Sequence, residues 1–538
     1  MPHRAAPCRA ALGGAVSGGA MSRRAVRHLA ALPAVGLACA AAVAGCTSGA
    51  SAGPSGSSPA ARTTAPAQVS TLHWNACQGP GAGLLCASLA VPLDYAHPAG
   101  RKITLALLEV PATAPEASQQ GDLLVNPGGP GHSGLAMAAG VAQSLSRSVA
   151  SEYNIIGFDT RGVGSSVPAL RCDPSLYAGV RPDYIPANQQ AEQVLISRAK
   201  TYAADCQRRF GWLLPFMTTE NIARDMDAIR AALGQQKISY LAYSYGTYMG
   251  QVYATLFPHR VRRMVLDSTV DPRGVWYADN ISQDYAFQGR LEAFFSWVAA
   301  NPSVYGLGST RAQVQQAFYR ARARLATHPI RGPGGPMIGP DEYDDTFLNG
   351  SYSDTYWPGL ATALSDYLRT GATQPLAGQY QPQNENEFAV YNAVECADVS
   401  WPRTWARWNA DTRRVYRTAP FQAWDNAWFN AACAFWPVRG AAQPLRIQGA
   451  GLPGILMIQG TLDAATPYAG AQVAHKLLPT ARMVVVVGGG NHGQSLAQPP
   501  NTCVDGYLNR YLATGALPQR PGPVNATCPA GPAPAPGG

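Results

Sequence analysis

The sequence predicts an α/β protein: a mostly parallel sheet with helices between its strands, interrupted late by a large, mainly helical insertion. Three observations predict it. Short apolar runs with β character recur along the chain and end in polar or glycine-rich turns. One of them, 238–242, passes through a tight serine-bearing turn into a helix-length stretch that stops at Pro258. Two comparable runs, 261–266 and 454–458, lie about 190 residues apart, whereas consecutive strands of a minimal α/β alternation lie a few tens apart.

Composition bounds the rest. At 538 residues, with 46% hydrophobic and 14% charged, the chain can bury a large core. The net charge of +9 shrinks to +4 once the five arginines of 1–46 are set aside, and the remaining bases are not clustered. That excludes a nucleic-acid footprint.

Residues 1–46 read as an export leader rather than part of the fold. A basic stretch at 22–28 precedes an apolar, alanine-rich run at 29–44, too short for a membrane span. Val43-Ala44-Gly45-Cys46 resembles a bacterial lipobox, so Cys46 is expected to carry a lipid that anchors a cell-envelope lipoprotein; simple secretion is the alternative. Residues 47–68 are almost all Ser, Gly, Ala, Pro and Thr, with a single charge, and read as a flexible linker with a reach of roughly 25 Å. Beyond them stand eight cysteines, an even number that suits an oxidising compartment. The simplest of the 105 connectivities pairs neighbours in sequence: Cys77–Cys86, Cys172–Cys206, Cys396–Cys433 and Cys503–Cys528. No C-x-x-C occurs, and neither metal nor cofactor is expected.

Taken in order, 69–270 should form the first part of the sheet domain, with strands at 103–110, 122–125, 153–158, 238–242 and 261–266. The second strand runs into Asn126-Pro127-Gly128-Gly129-Pro130-Gly131-His132-Ser133-Gly134. This loop lacks the lysine of a P-loop, and reads as a cradle of N–H groups for a developing oxyanion. Asp159 and Arg161, beyond the third strand, are expected to form a structural ion pair. A helix is expected at 219–233. Residues 271–445, rich in aromatic residues, form the insertion, which would cover the strand C-termini as a cap. Residues 446–528 return to the sheet with strands at 454–458 and 482–487, and 529–538 should be a disordered tail.

The chemistry sits at strand ends. Ser244, in Ala242-Tyr243-Ser244-Tyr245-Gly246, has the strand–turn–helix context of a nucleophile elbow, with alanine where the first glycine usually stands. A serine hydroxyl needs an imidazole base oriented by a carboxylate. His492, on a glycine loop after the last long strand, is the best base; His259 and His475 read as structural or solvated. Asp463, in a turn after 454–458, is the best acid, and Asp267, ending the preceding strand, competes with it. The order Ser, Asp, His is that of the α/β-hydrolase fold.

The full motif set, 126–134, Gly157-x-Asp159-x-Arg161-Gly162-x-Gly164-x-Ser166, Tyr243-Ser244-Tyr245-Gly246-Thr247 and Gly460-x-x-Asp463-x-x-Thr466-Pro467, resembles the exported actinobacterial tripeptidyl aminopeptidases. These are α/β-hydrolase serine peptidases related to prolyl aminopeptidases. The resemblance implies an α/β-hydrolase fold with a large cap inserted between late strands. It implies release of short N-terminal peptides from peptide or protein substrates with a free amino end. It gives Ser244, Asp463 and His492 the triad roles, and Gly129 and Tyr245 the oxyanion N–H groups, with Gly128 an alternative to Gly129.

A cationic α-amino group calls for a carboxylate at a fixed distance from Ser244. In 393–398, Asp398 fits an A-V-x-C-x-D element of the family, with Glu395 beside it and Glu385 and Glu387 as further candidates. The bland reading of Asp398 is a helix cap, or a partner of Arg403 or Arg407. Two other functions share these residues: a capped lipase or esterase using the same triad, and a non-catalytic envelope binding module, which an intact triad disfavours.

Overall fold

The computed structural model describes residues 72–78, 83–332, 335 and 337–537. The expected leader, Cys46 and linker lie outside the described residues. Within 70–538 the chain forms one compact unit. Its strands in chain order are β1 (Asn75–Ala76), β2 (Leu85–Pro92), β3 (Lys102–Val110), β4 (Gly121–Asn126), β5 (Tyr153–Phe158), β6 (Ile238–Tyr243), β7 (Val261–Asp267), β8 (Ile330–Arg331), β9 (Met337–Ile338), β10 (Ile455–Gly460), β11 (Ala481–Val487) and β12 (Ala526–Pro529). β8 and β9 pair as a small hairpin in the insertion. The other ten form one sheet in the order β1-β2-β3-β5-β4-β6-β7-β10-β11-β12.

β1, β2 and β3 run antiparallel, and from β4 onward every neighbour is parallel. The sequences show why. β3 alternates buried with half-buried residues, as an antiparallel strand with one wetter face does. β4, β6 and β10 are near-continuous apolar runs, and Leu123, Leu124, Leu241 and Ile458 lie wholly buried between helices on both faces.

The insertion after β7 has two parts. The helices Tyr277–Ala299, Arg311–Thr327, Pro340–Tyr352 and Trp357–Arg369 enclose their own aromatic core of Phe294, Phe295, Phe318, Phe347 and Trp357. The later helix Glu385–Asp398 instead buries Val390, Ala393 and Val394 in the same cluster as the sheet residues Tyr240, Met264 and Met457. So 271–445 is more than a cover: its helix Glu385–Asp398 is part of the sheet domain's own core. The segment between Cys172 and Cys206 crosses the expected boundary the other way. Its Arg181 pairs with Glu342 at 2.7 Å and Asp345 at 2.6 Å on a cap helix.

All four expected disulfides are formed, with Cα separations of 4.5–5.8 Å. They mark a protein that folds in an oxidising compartment outside the cytosol. No described helix is long and apolar enough to cross a membrane.

Two local expectations are corrected. Asp159 and Arg161 do not pair with each other. The fully buried Arg161 forms a bidentate pair with Asp225 of the helix Thr219–Ala232, at 2.7 and 2.8 Å. Asp159 accepts from Ser133 Oγ at 2.5 Å and so fastens the glycine-rich loop. The C-terminal tail, expected to be disordered, is tied to the cap: Trp297 Nε1 donates to Pro534 O, and Gly537 N to Tyr305 Oη, both at 3.1 Å. Its composition carries no periodicity, so these two anchor points leave no trace in the sequence.

Candidate active site

β6 delivers Ser244 at φ 57°, ψ −132°, a strained conformation for a residue with a side chain. The helix Tyr245–Leu256 starts at the next residue, and Thr247 N closes the turn on Ser244 O at 2.8 Å. Crowding explains the small residues. A Cβ on Gly246 would lie 2.9 Å from Ala242 Cβ and 2.7 Å from Asn126 Oδ1, so alanine is tolerated at 242 because 246 is glycine. Tyr245, the first helical residue, has a backbone N–H with no partner inside the helix.

The glycine-rich loop after β4 packs directly on this turn. A Cβ on Gly128, at φ +103°, would stand 2.8 Å from Ser244 Cβ and 3.2 Å from Tyr245 N. Gly128 N donates to Asn126 Oδ1 at 2.9 Å and is thereby occupied. Gly129 follows at φ +109°.

His492 lies after β11. Its Nδ1 sits 3.0 and 3.1 Å from the two carboxylate oxygens of Asp463, which requires the Nδ1–H tautomer or the imidazolium. Asp463 also accepts from Ala465 N, Thr466 N and Thr466 Oγ1, each at 3.0 Å. The Nε2 of His492 is buried with no hydrogen-bond partner among the described residues. Its loop lies against the serine turn: Tyr243 Oη meets Ser495 O and Oγ at 3.1 Å.

Burial pulls the His492 imidazole down, but the charge and hydrogen bond of Asp463 outweigh it, and the pKa lies above the ordinary histidine value. Burial likewise raises the Asp463 carboxyl, and its bonds to His492 and Thr466 bring it below the usual range. The competitor Asp267 has a different task. It accepts from Gln494 N, Ser495 N and Ser495 Oγ at 2.5–3.1 Å and holds the backbone of the histidine loop. Burial pushes its pKa up to about 6, against those donors. His475 bonds Asn525 Oδ1 at 3.1 Å, far from the site in role, as expected of a structural histidine.

Asp398 is not the free anchor the sequence led us to expect. Its Oδ1 accepts from Thr219 N at 2.6 Å and its Oδ2 from Thr219 Oγ1 at 2.6 Å and Trp276 Nε1 at 3.3 Å, so it caps the helix Thr219–Ala232. Thr219 Oγ1 in turn meets Tyr245 Oη at 2.9 Å, so the cap braces the residue after the serine. Glu395 is buried, with Tyr391 and Asn280 as its side-chain donors, Asn280 Nδ2 at 3.5 Å, and burial drives its pKa well above the usual range. The ring of Tyr352 packs edge-on against His492 with centroids 5.5 Å apart. Glu385 accepts from Cys172 N, Asp173 N and Tyr202 Oη through Oε1, and its Oε2 is buried without a hydrogen-bond partner among the described residues. Glu387 lies 3.7 Å from His132 Nδ1, beside the glycine-rich loop.

Sequence reasoning missed four residues that shape the site. Ser268, at φ 60°, accepts from Gly493 N at 2.8 Å. Tyr352, Asp354 and Asn491 join the cap to the histidine loop. Asn491 stands in the glycine-rich run that marked His492; the other three carry no local signal. Among the described residues, no group of three or more His, Cys, Asp or Glu could hold a metal.

A strained serine at a strand–helix turn, a glycine loop packed upon it, and an Asp–His pair at the ends of two later parallel strands define an α/β-hydrolase. The family model for the alpha/beta hydrolase fold matches residues 123–497. The chain is 41% identical over 450 residues to a tripeptidyl aminopeptidase of Streptomyces coelicolor, covering 81% of this chain and 82% of that one. It is 31% identical over 504 residues to the serine protease Hip1 of Mycobacterium tuberculosis, covering 87% and 93%. It is also 33% identical over 489 residues to carboxylesterase B of the same organism, covering 86% and 91%. The chain belongs to the tripeptidyl aminopeptidase family of α/β-hydrolases.

Proposed function

We propose that the chain is a serine exopeptidase that releases short N-terminal peptides, tripeptides in the main, from peptide or protein substrates through an acyl-enzyme. The observation that carries this is the His492 imidazole, oriented by Asp463 through Nδ1, with a buried and unengaged Nε2 beside the strained serine turn. Ser244 Oγ attacks the scissile carbonyl while His492 Nε2 takes its proton. The oxyanion is received by the N–H groups of Gly129 and Tyr245; the occupation of Gly128 N by Asn126 favours Gly129 over its neighbour. His492 returns the proton to the leaving amine, and water then releases the peptide by the same steps in reverse order.

For the substrate's amino end, the commitment of Asp398 to Thr219 and Trp276 favours Glu395 as the anchor. Burial leaves Glu395 ready to ionise when an ammonium arrives, which is an ion pair formed only with the correct substrate. Cys46 is proposed as the lipidated residue that keeps the enzyme at the cell envelope; Cys46→Ser should then release it into the medium.

Fluorogenic amides carrying one, two or three residues, with free and blocked amino ends, test the reading. The three-residue free-amino substrate should be turned over fastest, and Ser244→Ala should abolish both turnover and fluorophosphonate labelling. Near-normal turnover by that variant overturns the assignment. Glu395→Gln should raise KM for free-amino amides about tenfold, the value of a charge-assisted bond, and leave small esters untouched. The carboxylesterase among the relatives favours one second reading, hydrolysis of oxygen esters by the same triad. Ester turnover far exceeding that of every amide in the panel would establish it.

A further inference from the structure

The histidine loop is held from two sides, and the division falls at His492. From Gly493 onward the sheet domain holds it: Gly493 N on Ser268 Oγ, Gln494 N and Ser495 N on Asp267. Before His492, Gly488 and Gly489 bond the turn after β10, Gly488 N on Thr461 Oγ1 and Leu462 N on Gly489 O, and between these sheet-side anchors Asn491 and His492 are held by the cap. His492 N donates to Tyr352 O at 2.8 Å. Asn491 Nδ2 donates to Asp354 Oδ1 at 3.0 Å, and Asp354 N returns a bond to Asn491 Oδ1 at 2.9 Å. The Tyr352 ring meets the imidazole edge-on. Behind Gly490 stands Arg290, whose Nη1 would lie 2.1 Å from any Cβ there. Its guanidinium lies over Trp357 at 5.0 Å and faces the charges of Asp354 and Asp463.

We propose that the cap carries part of the alignment of the general base: Asp354 and Asn491 are positioning residues that, with the Tyr352 carbonyl, clasp the histidine loop and set His492 over Ser244. The inference rests on the triad roles proposed above. Three hydrogen bonds converge on two consecutive residues of a loop otherwise built from glycine, where the backbone has many alternatives to lose. Without the clasp, Asp463 still fixes the imidazole's tautomer and one hydrogen bond, and the loop keeps its sheet-side anchors, but Asn491 and the His492 backbone between them lose their hold from the cap side. A displacement of about 1 Å at a reacting group is enough to lower a rate about a hundredfold. Cap closure and alignment of the base are then one event, and any cap opening that admits substrate also releases His492 N.

A double-mutant cycle tests this. Asp354→Ala should lower kcat for the three-residue amide about 10- to 100-fold with KM within about threefold, and slow fluorophosphonate labelling in parallel; Asp354→Asn, which with Asn491→Asp gives the two singles of the cycle, should lower kcat in the same way by a smaller factor. Asn491→Asp, which sets two carboxylates face to face, should do at least as much. The exchanged pair Asp354→Asn with Asn491→Asp restores one donor and one acceptor, keeps one carboxylate for Arg290, and should return kcat to within about fivefold of the parent. Additive losses in the cycle, or a loss carried by KM alone, overturn the proposal. Should Asp354→Ala fail to fold, Asn491→Asp and the exchanged pair decide by the same rescue. His492→Ala separates this from the underlying reading: its activity must vanish whatever the cycle gives, and survival would remove the triad assignment itself.

Discussion

Asp267 and Asp463 end neighbouring parallel strands, both are buried, and both serve the loop that carries His492. Asp267 terminates β7 and faces three neutral donors of 494–495. Asp463 stands in the turn after β10 and faces an imidazole. Burial raises both carboxyls; only Asp463 has a cationic partner to reverse the effect, and its pKa falls while that of Asp267 climbs to about 6. The difference teaches that the role of a buried carboxylate is set by what it faces rather than by its place on the sheet. On the roles proposed here, one orients chemistry and the other orients backbone.

The largest test of that contrast is Asp463→Asn. An amide still bonds Nδ1 but no longer stabilises the imidazolium, and kcat for the amide substrate should fall about 10³- to 10⁴-fold. The sign of the accompanying pH shift is fixed. Asp463 raises the His492 pKa above 6.5, and the base works only when neutral, so the acid limb of kcat/KM in the parent lies above pH 6.5. Residual activity of the Asn variant should show that limb moved to lower pH. A limb that stays put would mean Asp463 does not set the charge of His492.

Asp267→Asn should cost less and differently. The asparagine amide presents its own N–H groups to donors of 494–495, so the loop loosens. We expect a lower Tm and a loss of about tenfold in kcat, with the acid limb moved down less than in Asp463→Asn, since the charge of Asp267 adds only a smaller push to the His492 pKa. A loss and a limb shift as large as those of Asp463→Asn would exchange the roles of the two residues.

The same contrast explains what could be read in advance. The sheet, the serine turn and the Asp–His pair were legible because each lies at the end of an apolar run, and the turn chemistry is local. Asp267 and Asp463 could be ranked but not separated, since the distinguishing partners lie 227 and 29 residues away. The two readings of Asp398, amine anchor or helix cap, stayed open for the same reason: its partner Thr219 is 179 residues off, and nothing in 393–398 says which helix the carboxylate caps. The cap clasp was illegible altogether, because Tyr352 and Asp354 look like ordinary helix-end residues until the glycine loop is packed against them.

The smallest expected effect concerns stability, and it separates the two aspartates by sign. Asp267 has a folded pKa of about 6 against 3.8 in an unfolded chain, so the native state binds its proton more tightly. Its contribution is present in full below pH 3.8 and is lost as pH rises through about 6, by about 3 kcal/mol at most. Asp463 runs the other way: its folded pKa is depressed, and its contribution is present above 3.8 and lost only as pH falls below it. Above pH 7 Asp267 is ionised folded and unfolded and adds no further slope, whereas in the parent the stability that His492 gains from Asp463 is lost as pH rises through its raised pKa. Denaturant unfolding of the parent and of each Asn variant through that window reads the difference. The stability gap between parent and Asp463→Asn should narrow there as pH rises, while the gap to Asp267→Asn stays nearly level. Two gaps that move together would mean the carboxylates share one environment, and the division of labour between chemistry and backbone would fall with it.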